Sequence, residues 1–307
     1  MNRAPIRLAV TLGDPRGIGP EVAAAALAAC GHELVVIGPR GTGVEPDVAV
    51  GHWSGAGLEE AGRLAGASIE RAAAMALDGE VAGVVTAPID KRALAAAGYR
   101  FPGHTEMLQA LAGAPDVAML MAAERTALGG PLRVVLATTH IPLADVPGAV
   151  TGERLARQAR LADRGLREWW GIAAPRLALC ALNPHASDGG LFGDQEERVM
   201  EPTVAALRDE GLDIVGPVPA DTVFVRAVRG EFDAVIAPYH DVGMAAFKTA
   251  SFGSGVNVTL GLPFVRTSPD HGTALDIAGR GIADAASMIE AVAVAARLAS
   301  PLPSAAR

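Results

Sequence analysis

Short apolar runs recur along the chain and end on polar clusters: RLAVTLGDP from Arg7, ELVVIGP from Glu33, VAGVVTAPID from Val81, RVVLATTH from Arg133, RLALCALNPH from Arg176 and FDAVIAPYH from Phe232. Each is aliphatic or β-branched and stops at Gly, Pro or a polar group, the pattern of strands buried on both faces. Between them lie alanine-rich segments with helical spacing, among them PEVAAAALAAC, LEEAGRLAGASIERAAAMALDG and GERLARQARLADRGLREWWG. Alternating strands and helices predict an α/β fold, a mostly parallel sheet with helices on both faces, whose ligands bind at the carboxyl ends of the strands. The segment Arg40 to Gly57 reads as a loop, and the closing SPLPSAAR is expected to fray.

At 307 residues and 50% hydrophobic content the chain exceeds one typical domain, which predicts two lobes. A formal charge of −8 with no basic cluster argues against nucleic acid and against an anionic membrane surface. The opening MNRAPIRLAVTLGDP has too short an apolar run for a signal peptide or a membrane span, so a cytoplasmic protein is expected. Cys30 and Cys180 lack a CxxC partner and read as buried reduced thiols.

Of the seven histidines, His140, His185 and His240 each follow a predicted core strand. Two readings fit that pattern. They are unrelated polar strand ends, or they are a His₃ site for Zn²⁺, Co²⁺ or a similar cation, with positions left open for substrate. Asp241, beside His240, orients such a ligand or simply makes a turn. GHTE, Gly103 to Glu106, offers a helix start for an anion, with Thr105 as a candidate cap. Arg266, set between apolar FV and TS, stands out from ordinary surface charges. GDPRGIGPE begins a helix with Pro20 in its first turn and brings Asp14 and Arg16 to the same rim. There is no G-x-G-x-x-G within a βαβ unit, no GxxxxGK[ST] and no GxSxG, which disfavours a standard dinucleotide fold, a P-loop and a serine hydrolase.

In order, GDPRGIGPE, TAPIDK, GHTE, ATTHIPL, LNPHASDGGLFGDQEE, GPVPADT, YHDVG and GVNVTLGLPFVRTSPDHGTALDIAGRG closely resemble the PdxA family, 4-hydroxythreonine-4-phosphate dehydrogenase of the vitamin B6 pathway, from about Ala9 to Asp284. The resemblance implies an isocitrate/isopropylmalate dehydrogenase-like, two-lobed α/β/α fold: a cofactor-side lobe of 1–130 plus 268–307, and a metal, substrate and dimerisation lobe of 131–267. It implies a divalent metal (Zn, Co or Mg) on His140, His185 and His240, and substrate contacts at His104, Thr105, Lys248, Asn257 and Arg266. Lys248 and Asp241 become the candidate catalytic groups, and NAD or NADP is expected near His271, Gly272, Thr273 and Asp276, where a Gly-rich turn before a helix is the plainer reading.

The implied reaction is oxidation of the secondary hydroxyl of 4-phosphohydroxy-L-threonine with decarboxylation, in a homodimer whose active site lies at the subunit interface. Asp90, Val242 and LFGDQEE depart from the family's usual Asn, Gln and HMG-type residues, and the last is similar to a paralogous group acting on 4-phospho-D-threonate or 4-phospho-D-erythronate. A cis-dihydrodiol dicarboxylate dehydrogenase and a metallohydrolase are the remaining alternatives.

Overall fold

The computed structural model describes residues 6–251 and 253–300; apart from Ser300, the expected frayed tail lies outside the described residues. The chain runs through β1 (Arg7–Thr11), α1 (Gly19–Ala29), β2 (Glu33–Arg40), β3 (Val48–His52), α2 (Leu58–Leu77), β4 (Gly83–Thr86), α3 (Lys91–Ala96) and α4 (His104–Ala112). It continues with β5 (Ala118–Ala123), β6 (Leu132–Leu136), α5 (Val146–Ala149), α6 (Gly152–Glu168), β7 (Arg176–Cys180), α7 (Glu201–Asp209) and β8 (Asp213–Val218). Then follow α8 (Ala220–Val228), β9 (Ala234–Ala237), α9 (His240–Ser251), β10 (Val256–Leu260), β11 (Val265–Pro269) and α10 (Ala286–Ala299). Two compact units result, Met1–Pro115 with Val256–Arg307, and Asp116–Gly255.

In the first unit the strand order is β3-β2-β1-β4-β11-β10, parallel throughout except for the β10–β11 hairpin. Leu8, Ala9, Val10, Val84 and Val85 are fully enclosed, as strands covered on both faces must be. Helix α10 packs with α1, and α2 packs with α3 and α4. In the second unit the order is β5-β6-β9-β7-β8, with only the β5–β6 pair antiparallel. Its core joins Met121, Val134, Leu136, Val235 and Ala237 to Phe224 and Phe247 of α8 and α9. Helix α6 starts at a threonine cap, the Arg154 amide donating to Thr151 Oγ1 at 3.3 Å.

Four expectations need correction. The units divide at 115/116 and 255/256 rather than at 130/131 and 267/268. β5 pairs with β6 and β10 with β11, so each hairpin stays whole within its unit. The supposed loop Arg40–Gly57 contains β3, an edge strand with no buried residue, whose apolar stretch is only Val48, Ala49 and Val50 before Gly51. Thr105 caps nothing: α4 begins at His104 with Gly103 at the cap position and no side-chain cap bond. Cys180 is buried, but Cys30 is only partly so.

One close approach fixes the loop after β4. A Cβ on Gly62 of α2 would lie 1.8 Å from the Ala93 carbonyl oxygen of α3. Alanine favours a helix interior over glycine by about 1 kcal/mol. Gly62→Ala is nevertheless expected to destabilise the protein by about 1–3 kcal/mol, because the clash is with backbone. Chemical denaturation of the two proteins checks the sign.

Candidate active site

In the second unit three neighbouring parallel strands, β6, β9 and β7 in lateral order, each lead into one of the three histidines. The ends of β6 and β9 are tied together: Ala137 N–H donates to the Ala237 carbonyl at 2.8 Å, and Thr138 Oγ1 donates to the Pro238 carbonyl at 2.8 Å. That lateral tie brings the rings of His140 and His240 to 5.4 Å between centroids. Both line a cavity of about 210 Å³ with Thr139, Ile141, Tyr239 and Asp241. His240 Nδ1 lies 2.7 Å from Asp241 Oδ1. In the tautomer that donates this bond, Nε2 keeps its lone pair for a cation, the usual way a carboxylate orients a metal-binding imidazole. Burial pushes the Tyr239 phenol above its ordinary value, helped by Cys180 and Asp241.

His185 follows β7 in a left-handed turn, its ring 6.3 Å from that of Phe192. The protomer therefore brings two of the three histidines together, and among the described residues no three His, Cys, Asp or Glu side chains are grouped so as to hold a metal ion. Two imidazoles facing one cavity, one of them oriented by a carboxylate, nonetheless fit a borderline divalent cation. Lys248 lies exposed in the last turn of α9.

The first unit gathers the anion-binding candidates. Strand pairing puts Asn257, Thr259, Arg266 and Thr86 on one face of neighbouring strands β10, β11 and β4. Arg266 is only 2% exposed. It donates to Thr259 Oγ1 at 2.9 Å and Thr86 Oγ1 at 2.7 Å, while its Nε has no partner among the described residues. Burial lowers the guanidinium from the ordinary arginine range to about 10, and the nearby Glu106 carboxylate only partly opposes this.

His104 opens α4. The residue is partly exposed, yet its Nε2 atom is enclosed and, among the described residues, has no hydrogen-bond partner, as is the case for Asn257 Oδ1. Desolvation, then the charges of Arg266 and Lys91, hold its pKa well below 6.5. Guanidinium, imidazole, amide and a helix start with free N–H groups make a receptor for a phosphate or carboxylate. Thr105, the next residue of α4, is half-buried.

The depressed imidazole sets a direction with pH. Below about 6.5 the unfolded chain takes up a proton that the folded imidazole refuses, so stability is expected to fall by up to about 1.4 kcal/mol per pH unit until the folded pKa is reached. Above 6.5 this contribution vanishes. Thermal midpoints of the wild type and His104→Gln between pH 5 and 8 test it, the variant losing this component of the slope.

The candidate cofactor residues share one loop of the first unit. Ile18 N–H donates to the Thr273 carbonyl at 2.9 Å, and the Gly279 and Gly281 amides donate to the Glu21 carboxylate at 3.1 and 3.2 Å. His271 Nε2 is enclosed without a partner, Gly272 is exposed, and so is Asp276. Beside this loop Arg16 bridges fully buried Asp14 at 2.6 Å and Asp90 at 3.1 Å.

Thr86, Thr259 and Lys91 escaped the sequence reading. Each threonine is the lone hydroxyl of its strand, β4 or β10, which was the available signal.

Comparison with known proteins follows this geometry. Residues 33–295 match the family described as "Pyridoxal phosphate biosynthetic protein PdxA". A 4-hydroxythreonine-4-phosphate dehydrogenase of Paracoccus denitrificans is 45% identical, the alignment covering 95% of this chain and 97% of that protein. A Bradyrhizobium diazoefficiens protein, provisionally named a D-threonate 4-phosphate dehydrogenase, is 42% identical over 95% of this chain and 96% of its own. The crystal structure of the Klebsiella pneumoniae 4-hydroxythreonine-4-phosphate dehydrogenase superposes with a TM-score of 0.86 at 39% identity, covering 97% of this chain and 99% of that one. Isocitrate dehydrogenase of Methylococcus capsulatus shares the fold, with a TM-score of 0.55 at 18% identity over 94% of this chain and 84% of that one.

The chain is thus an oxidoreductase of the isocitrate dehydrogenase fold class. It belongs to the PdxA family. Among the described residues no helix is long and apolar enough to cross a membrane.

Proposed function

We propose that this chain is a metal-dependent, NAD(P)-linked dehydrogenase that oxidises the secondary hydroxyl of 4-phosphohydroxy-L-threonine, the product losing CO₂ to give 3-amino-2-oxopropyl phosphate. The observation that carries the reading is Arg266, a buried guanidinium held by two hydroxyls with its Nε unpartnered, near a neutral imidazole whose Nε2 is also unpartnered. A buried guanidinium N–H costs free energy unless an acceptor completes it, and the imidazole donates to the same anion in the tautomer that carries the proton on Nε2. In this reading Arg266, Asn257, His104 and Thr105 bind the phosphate and orient the carbinol, a gain of positioning rather than bond breaking. Lys248 adds a substrate contact and a candidate proton-transfer group.

His140 and His240, with His185, would hold a divalent ion, and Asp241 keeps the His240 ring in its ligating tautomer. Bound there, the ion would supply Lewis-acid polarisation of the substrate hydroxyl, and NAD or NADP, on the loop of His271, Gly272, Thr273 and Asp276, would accept the hydride. The first unit is then the cofactor side and the second the metal and dimerisation side. Exposed apolar residues flank two of the histidines, Ile141 and Leu143 after His140 and Leu191 and Phe192 after His185, which supports a homodimer interface at the site. A cytoplasmic enzyme suits such a reaction.

The likeness to the Bradyrhizobium protein and the LFGDQEE segment favour 4-phospho-D-threonate or 4-phospho-D-erythronate as the second reading. One assay separates them: NADH or NADPH absorbance with each phosphorylated acid, after chelation and after adding back Zn²⁺, Co²⁺ or Mg²⁺. Reduction of cofactor only with hydroxythreonine phosphate and metal supports the first reading; reduction with threonate or erythronate phosphate transfers the assignment, and none with any of them overturns both.

A further inference from the structure

Glu196 is a carboxylate with 0% exposure, and what it accepts are three N–H groups. The amides of Leu182 and Asn183 donate to Oε1 at 2.9 and 2.7 Å, and Asn183 Nδ2 donates to Oε2 at 2.8 Å. Among the described residues no cation pairs with it. Asn183 Nδ2 also donates to Gln195 Oε1 at 2.7 Å. Gly193, at φ 128, leaves room for this knot, since a Cβ there would lie 2.6 Å from Asn183 Nδ2. A buried charge satisfied only by N–H donors belongs where a loop must be held in one shape.

The loop it holds is strained. Two residues after Asn183 the backbone turns left-handed for four successive non-glycine residues, His185, Ala186, Ser187 and Asp188, at φ 54, 55, 66 and 46. Residues with a Cβ visit that region rarely and singly. A run of four persists only when its surroundings over-determine it, and such strain gathers at functional sites. Glu196 pins the entrance of the turn, and Phe192 N–H, donating to the Ser187 carbonyl at 3.1 Å, closes the far side.

We propose that Glu196 is a positioning residue of the metal centre: by clamping Leu182 and Asn183 at the end of β7, it holds the left-handed turn that presents His185 and so sets the affinity for a divalent cation. This rests on the reading of His185 as a ligand. Glu196 touches neither ion nor substrate; without its carboxylate three donors lose their acceptor, the turn relaxes towards ordinary right-handed backbone, and the imidazole is no longer held in one place.

The test uses the full chain stripped of metal, with Co²⁺ alone as probe. Equilibrium dialysis gives its affinity, the Co²⁺ absorption spectrum its coordination, and thermal unfolding the stability of the metal-free protein. Glu196→Ala is expected to weaken Co²⁺ binding by about ten- to a hundred-fold, the range for groups that orient ligands. Glu196→Gln keeps an acceptor for the two backbone amides and should lose less. Glu196→Asp serves if the alanine variant does not fold. Each folded variant should approach wild-type turnover at saturating metal.

Wild-type Co²⁺ affinity in folded Glu196 variants overturns the proposal if His185→Ala has lost that affinity. If His185→Ala binds Co²⁺ as tightly as wild type, the ligand reading fails instead, and the proposal with it. Weakened binding that merely tracks a lower thermal midpoint, equally in a distant core variant such as Leu64→Ala, also counts against it.

Discussion

His240→Ala is expected to abolish tight divalent-metal binding and to lower turnover by about a hundred- to a thousand-fold, while the protein stays folded. The ring stands at the start of α9, half exposed, with its Nδ1 on Asp241 and its plane beside His140. Little is buried with it, so stability should shift by less than about 1 kcal/mol. A Lewis acid at the reacting oxygen contributes several kcal/mol, and about 1.4 kcal/mol is a factor of ten in rate, which sets the size of the loss. Asp241→Asn, which leaves the ligand but alters its orientation, should cost only about ten- to a hundred-fold in metal affinity. Metal content and turnover measured together on both variants decide this. A His240→Ala protein with wild-type metal content would remove the imidazole pair from the mechanism.

Arg266→Met is expected to move activity and stability in opposite directions. The guanidinium is enclosed in the first unit between Thr86 and Thr259, and its fall from the ordinary arginine range to about 10 corresponds to a penalty on the order of 3 kcal/mol against the charged form. That penalty is present at all pH values below about 10, so it does not vary across the neutral range. A methionine of similar volume removes the buried charge, so the metal-free protein should be as stable as wild type or up to about 2 kcal/mol more stable, the two hydroxyls losing a donor in exchange. The same change deletes the strongest charge available to an anion. KM for the phosphorylated substrate should rise by about a hundred- to a thousand-fold, in line with truncating one side of a buried charge pair. Denaturant melts and steady-state kinetics on one preparation test both signs. Lost stability together with unchanged KM would mean that Arg266 is a structural residue.

Much of this was legible in the chain. Buried parallel strands write themselves as unbroken aliphatic runs, and His140, His185 and His240 stood out because each follows the end of one; of the three, the structure brings His140 and His240 together. β10 and β11 were less legible: VNVTL and VRTSP carry polar residues on the face that holds Thr259, Asn257 and Arg266, which interrupts the apolar pattern. β3 left only a weak signal: its apolar stretch is three residues, Val48 to Val50, cut short by Gly51 and set among glycines and charged residues. The lateral order β6-β9-β7 could not be read from spacing, although it decides that His140 neighbours His240. The left-handed turn at His185 was equally hidden, since nothing in PHASD marks it and the carboxylate that holds it lies eleven residues away.

The first unit is discontinuous in the gene-encoded order, and this has a consequence for biogenesis. Its sheet is missing β11 until the last quarter of translation, and β11 is the strand between β4 and β10 that bears Arg266. Asp116–Gly255, by contrast, is contiguous and can close its sheet while the ribosome is still at work. During synthesis the half that bears His140, His185 and His240 can therefore be assembled ahead of the half that bears Arg266.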